Sequence, residues 1–174
     1  MNRLLLALVF VAVGCSKPTP PPAVAAAPAT LSVGSAAPAF SAEAHDGTKV
    51  ELSALNGHDV VLYFYPKDET PGCSIEADAF RDAYEKIKGA GAMLIGVSAD
   101  SLESHREFAK SHALPFPLIS DPKGELAAKY GVPFTAVTAR QTILIGKDGV
   151  VKKLYRTVDV NVHAGQILKD LGVN

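Results

Sequence analysis

The run Asp59–Tyr65 (DVVLYFY) constrains this chain more than any other stretch. It is apolar from its second residue to its last and rich in β-branched and aromatic side chains. A strand with one wet face alternates polar and apolar residues. One that is apolar throughout is covered on both faces, so this run predicts a central strand. It feeds through the loop Pro66–Gly72 into an amphipathic helix from Cys73 to about Lys88, ended by Gly89 and Gly91. On that helix Ile75, Ala79, Tyr84 and Ile87 form one broad face, expected to point inward. A strand that turns into a helix within one short loop is the start of a β-α-β unit.

The rest of the sequence extends the pattern. Phe40–Ala44 and Thr48–Leu52 flank the turn signal His45-Asp46-Gly47 and read as an N-terminal hairpin. Ala92–Ser98 is a second buried strand. Leu102–His112 is an amphipathic helix with Leu102, Phe108 and Ala109 inward. Phe116–Ile119 is a short strand, and Gly124–Tyr130 a short helix closed by Gly131. Gln141–Gly146 and Val150–Arg156 form a hairpin through Lys147-Asp148-Gly149, and Val160–Leu171 is a C-terminal helix. Alternating strands and helices imply parallel pairs with right-handed crossovers. The last hairpin adds antiparallel strands, so the expected fold is α/β with a mixed central sheet flanked by helices. A length of 174 residues with 48% hydrophobic content suits one such domain, and no internal repeat is visible.

The N-terminus stands apart from this domain. Asn2-Arg3 is a short positive segment, and Leu4–Val13 is an apolar run too short to span a bilayer comfortably. Ala12-Val13-Gly14-Cys15 resembles a bacterial lipobox. Ala12 stands where Leu is usual, and Val13 where Ala or Ser is usual. The expected organisation is a signal peptide at residues 1–15, a Pro/Ala-rich linker at 16–30 and a folded domain at 31–174. Cys15 would be the lipidated residue of an extracytoplasmic bacterial lipoprotein facing the periplasm or cell exterior. An ordinary cleaved signal peptide with an incidental Cys15 is the alternative. The linker composition is extended and cannot bury a core. A net charge of −1, with no basic run, argues against a nucleic-acid partner.

Two cysteines are present, Cys15 and Cys73. If the first is acylated, Cys73 is the one thiol left and an internal disulfide is impossible. A thiol at a helix start faces the positive end of the helix dipole and unpaired backbone N–H groups. Both favour the nucleophilic thiolate. A buried, inert core cysteine is the plainer reading, and the residues before Cys73 argue against it.

Those residues are Pro66-Lys67-Asp68-Glu69-Thr70-Pro71-Gly72-Cys73. Pro-x-x-x-Thr-x-x-Cys resembles the peroxidatic motif of the peroxiredoxins. Tyr65-Pro66-Lys67-Asp68, with Thr70-Pro71-Gly72-Cys73, resembles the peroxiredoxin Q branch, also called bacterioferritin comigratory protein. The likeness continues through Ser74-Ile75-Glu76-Ala77, Ser120-Asp121, Tyr130-Gly131-Val132, Arg140 ahead of Ile143-Leu144-Ile145, and Asp148-Gly149. It implies a thioredoxin-like fold and a thiol-dependent peroxidase that reduces hydrogen peroxide and organic hydroperoxides through a sulfenic acid at Cys73. Thr70 would direct its hydroxyl to the thiolate or the peroxide, Pro66 would cover the substrate pocket, and Arg140 would orient the peroxide and favour the thiolate. Many members of the branch carry a second cysteine five positions after the first; here that place holds Asp78. The resemblance therefore implies a one-cysteine cycle with an external thiol, either a thioredoxin-like protein or a small thiol. It also implies a monomer or weak homodimer and cell redox homeostasis as the setting.

Other candidates carry less. His45, His58, His105, His112 and His163 lack metal-ligand spacing, so no metal is expected. His105 and His112, two helical turns apart, read as a solvated face. Asp68 and Glu69 read as solvated loop carboxylates. No phosphate-cradling glycine loop occurs, so no cofactor is expected. A redox sensor, or a thioredoxin-like thiol-disulfide exchange protein, is the alternative use of Cys73. The second of these normally needs Cys-x-x-Cys, which is absent here.

Overall fold

The computed structural model describes residues 31–173; the expected signal peptide and linker lie outside the described residues. The order is β1 (Ser41–Glu43), β2 (Lys49–Glu51), a 3-10 turn at Leu52–Leu55, β3 (Asp59–Phe64), α1 (Pro71–Gly89), β4 (Ala92–Ser98), α2 (Leu102–Ser111), β5 (Leu118–Ser120), α3 (Glu125–Lys129), β6 (Gln141–Ile145), β7 (Val151–Tyr155) and α4 (His163–Asp170). The main sheet runs β5-β4-β3-β6-β7. β3, β4 and β5 are parallel neighbours, β6 is antiparallel to β3, and β7 is antiparallel to β6. The sheet is therefore mixed, and β1–β2 form a separate antiparallel hairpin. Single bridges, Ala44 to Ile119 and Ala36 to Val150, tie the N-terminal segment to both edges of the main sheet.

β3 is buried at every residue, as a central strand requires. Its side chains alternate between two cores. Val61 and Tyr63, with Tyr65 beyond the strand end, pack with Phe80 and Ile87 of α1, Phe108 of α2 and Ile167 of α4. Val60, Leu62 and Phe64 face the other layer, with Phe40, Leu126, Tyr130 and Val132.

α1 begins at Pro71, two residues before the expected start. Extended Thr70 is the N-cap, and a proline is well suited to the first helical position because its missing N–H would have no helical partner. Its inward face also differs. Cys73, Glu76, Ala77, Phe80, Ala83 and Ile87 are buried, whereas Ile75 is 47% exposed. Phe80 and Ile87 set the helix rotation against the sheet, and Ile75 lies about 200° around the axis from Ala77. On α2 the fully buried His105 joins Phe108 and Ala109 inward, and Leu102 is only half-buried.

Tyr63 needs space that Gly96 of β4 provides. The two residues are cross-strand neighbours, and Leu118 of β5 lies on the other side of Gly96. A Cβ at position 96 would stand 2.6 Å from Leu118 Cδ2 and 2.9 Å from the Tyr63 ring. Both neighbours are buried and cannot swing away. Gly96→Ala is therefore expected to lower stability by about 1–3 kcal/mol through overpacking. Urea unfolding should show a lower midpoint at an unchanged slope.

Candidate active site

Strand register places the chemistry. Phe64 of β3 pairs with Gln141 of β6, so Arg140 stands at the sheet edge where β3 hands over to the Cys73 loop. The Tyr65 N–H still pairs with the Val97 carbonyl at 3.0 Å, and its own carbonyl accepts from the Thr138 hydroxyl. Pro66, which has no N–H, then leads the chain away from the sheet.

Cys73 is the third residue of α1, and its side chain faces inward with the residue only 2% exposed. Arg140 Nη2 donates to its Sγ at 3.1 Å. The guanidinium runs beside Gly72, where a Cβ would stand in van der Waals contact with Nη2 at 3.4 Å. The other terminal nitrogen, Nη1, forms an ion pair with Oε2 of Glu76. One cation thus bridges the thiol and a carboxyl one helical turn away.

Glu76 is the residue that sequence reasoning passed over. Its one local signal was an acidic side chain three positions after Cys73, on the same helix face. It is 1% exposed, and Oε1 has no hydrogen-bond partner. Burial pushes its carboxyl up to about 7, against the downward pull of Arg140. Burial also works against charge on Arg140, but Glu76 and the Cys73 sulfur more than offset this and hold the guanidinium above its ordinary value. The Tyr63 hydroxyl, likewise without a partner, is pushed well up by burial and by the nearby Glu76 carboxylate.

The remaining residues singled out from sequence fall around this centre. Thr70 Oγ1 donates to the Lys67 carbonyl at 3.0 Å, which closes the turn ahead of α1. In this structure its proton is directed to that carbonyl, whereas the sequence points it to the thiolate or to an oxygen of the peroxide. Pro66 is half-buried at the start of the same loop. Cys15 lies outside the described residues.

Several polar residues depart from the expected solvated roles. Asp68 is 5% exposed and His105 is fully buried; they pair with Oδ2 to Nδ1 at 2.9 Å. His112 is a partly buried clasp between helices: its Nδ1 lies 2.9 Å from Asp78 Oδ1, which also accepts from Arg81 at 2.6 Å. Glu69 is the exception, exposed as expected, with Oε1 accepting from Ser111 at 2.7 Å. In each departure the partner comes from a distant part of the chain, so a local hydropathy pattern reads the residue as wet.

Residues 33–154 match the AhpC/TSA family. The chain belongs to that family. It is 46% identical over 167 residues to the chloroplastic peroxiredoxin Q of Oryza sativa subsp. japonica, covering 88% of this chain and 77% of that protein. Among solved structures, peroxidoxin BcpB from Mycobacterium tuberculosis superposes with a TM-score of 0.75 at 31% identity, over 82% of this chain and 97% of that one. A Xanthomonas campestris bacterioferritin comigratory protein, described by its alkyl peroxide reduction, gives 0.73 at 34% identity, over 76% and 90%. This AhpC/TSA member is a peroxiredoxin of thioredoxin-like fold and a thiol-dependent peroxidase.

The raised carboxyl of Glu76 makes stability depend on pH. Its pKa rises from 4.5 to about 7 on folding, so the native state binds the proton more tightly than the unfolded chain. The stabilisation is complete below about pH 4.5 and is lost as pH rises through 7, by about 3 kcal/mol in all. Glu76→Gln should abolish this dependence. Urea titrations of both proteins at pH 5 and pH 8 would test it, and equal pH dependence in the two would refute it.

Proposed function

We propose that this peroxiredoxin reduces hydrogen peroxide and organic hydroperoxides by a one-cysteine cycle at Cys73, with an external thiol as reductant. The single observation that carries the reading is the 3.1 Å contact from Arg140 Nη2 to Cys73 Sγ at the start of α1. A guanidinium on the sulfur favours an anionic nucleophile and offers donors to a peroxide bound beside it. The thiolate attacks the terminal oxygen of the hydroperoxide, and the O–O bond breaks. The hydroxyl goes to sulfur as a sulfenic acid, and the leaving alkoxide or hydroxide takes a proton to become alcohol or water. Arg140 and the backbone N–H groups at the helix start are the donors for the charge that grows on the leaving oxygen. Thr70 and Pro66 shape the loop side of the pocket.

Cys73 is the one cysteine among the described residues. An external thiol therefore attacks the sulfenic sulfur, releasing water and forming a mixed disulfide. A second thiol then displaces Cys73 as the thiolate and leaves with the first as a disulfide. A thioredoxin-like protein and a small thiol both fit this requirement. The alkyl peroxide reduction described for the Xanthomonas protein supports organic hydroperoxides as a substrate class. The lipobox-like Cys15 and the Pro/Ala-rich stretch after it support a lipid-anchored domain outside the cytoplasm.

Stopped-flow mixing with hydrogen peroxide tests the chemistry. The wild type should consume one equivalent rapidly, with a trappable sulfenic acid. Cys73→Ser should abolish the reaction, and Arg140→Ala should slow it by about tenfold or more. Oxidation no faster than that of a free thiol would sink the assignment. Sustained turnover with added dithiol distinguishes a peroxidase from a sensor that oxidises once. The anchor is tested by fractionation: Cys15→Ala should move the protein from the membrane to the soluble fraction, and an unchanged distribution would remove the lipoprotein reading.

A further inference from the structure

We propose that Asp68 and His105 are positioning residues for the peroxidatic reaction, holding the loop that delivers Cys73 at the distance where Arg140 meets its sulfur. The inference rests on the peroxidase reading above and goes beyond it, since neither residue bonds to the sulfur or to the guanidinium.

Asp68 sits midway along the connection from β3 to α1. A carboxylate in a connecting loop ordinarily points to water, yet this side chain is 3% exposed. Burying it is tolerable only where its oxygens are met by donors. Here they are met by the Tyr65 hydroxyl at the start of the same connection and by two residues of α2. Oδ1 accepts from the Tyr65 hydroxyl at 2.8 Å. Oδ2 accepts from the Ser104 hydroxyl at 2.7 Å and faces His105 Nδ1 at 2.9 Å. The Asp68 N–H donates to Asp100 Oδ2 at 2.9 Å, and that oxygen is fixed in turn by the Ser98 hydroxyl at 2.7 Å. Against the cost of burial, the bonds from His105, Ser104 and Tyr65 hold the Asp68 carboxyl below its usual range.

His105 extends the grip. Its Nε2 lies 3.2 Å from the Ile119 carbonyl of β5, so the ring bridges the Asp68 carboxyl and the edge strand. The loop thereby takes its position from the ends of β3 and β4, from α2 and from β5. The next residue shows the constraint. Glu69 adopts φ 57°, a left-handed conformation that is unfavourable for a non-glycine residue and persists where its surroundings dictate it. Cys73 follows four residues later, with its sulfur 3.1 Å from Arg140. A displacement of about 1 Å at such a centre costs roughly 100-fold in rate.

The test compares the purified full chain with Asp68→Ala, Asp68→Asn and Ser104→Ala, each shown folded by circular dichroism. Two rates are read at Cys73: oxidation by hydrogen peroxide and alkylation by iodoacetamide. Asp68→Ala should slow oxidation by about 10- to 100-fold and speed alkylation, because release of the loop misplaces the sulfur and uncovers it. Stability loss alone would not drive the two rates in opposite directions in the folded protein. Asp68→Asn should recover most of the oxidation rate, since an amide can accept from Tyr65 and donate to the His105 ring. Ser104→Ala removes one bond to Asp68 and should shift both rates the same way by a smaller factor, which keeps the test decisive if Asp68→Ala does not fold. Unchanged rates in Asp68→Ala, or in Ser104→Ala where that is the folded variant, would overturn the proposal. So would an Asp68→Asn protein as slow as Asp68→Ala. A wild type that itself reacts slowly would instead overturn the peroxidase reading, and it is distinguished because it needs no variant.

Discussion

One guanidinium, shared between a sulfur and a carboxyl, is the interaction on which the site depends. Arg140 is half-buried, and a cation taken out of water needs anionic partners close by. Two acidic groups meet it, Cys73 on one side and Glu76 on the other. The two acidic groups compete for the same charge. Burial drives the Glu76 carboxyl toward its protonated form, against the pull of Arg140. The result is a small electrostatic unit in a water-poor setting, where a single charge has a large effect.

The sheet exists around this unit in a specific way. β3 supplies the loop to Cys73 from its C-terminal end, and antiparallel β6 supplies Arg140 from its N-terminal end. The two ends lie at the same edge because the strands run in opposite directions. The Thr138 hydroxyl, bonded to the Tyr65 carbonyl, fastens the segment before Arg140 to the segment before Pro66. Beneath them an aromatic layer gives the edge a firm floor. Tyr63 stacks on Tyr65 with ring centroids 5.4 Å apart and packs on Phe80 at 4.9 Å.

Most of the fold was legible from local pattern. The doubly buried β3, the two hairpins and β4, whose bounds agree residue for residue, follow from periodicity and turn residues alone. The departures in burial are of one kind. Ile75 was placed inward because it is apolar, yet the helix rotation is set by Phe80 and Ile87 against the sheet. Asp68, His105 and His112 were placed in solvent because they are polar. Asp68 meets His105 across 37 positions, and Asp78 meets His112 across 34. No window of ten or fifteen residues contains both members of such a pair.

The sequence alone determined where the nucleophile stands: a thiol after a proline-bounded loop, at the first turn of a helix, following a strand that must be central. Those features depend on backbone propensities and on side-chain periods of two and 3.6, which act between near neighbours. Only the tertiary structure decided that Glu76 shares Arg140 with Cys73, that the Thr70 proton turns to Lys67, and that a buried aspartate and histidine grip the loop. Hydrogen bonds and desolvation depend on separations of about 3 Å in space, and strand register and helix packing set those separations between residues far apart in the chain.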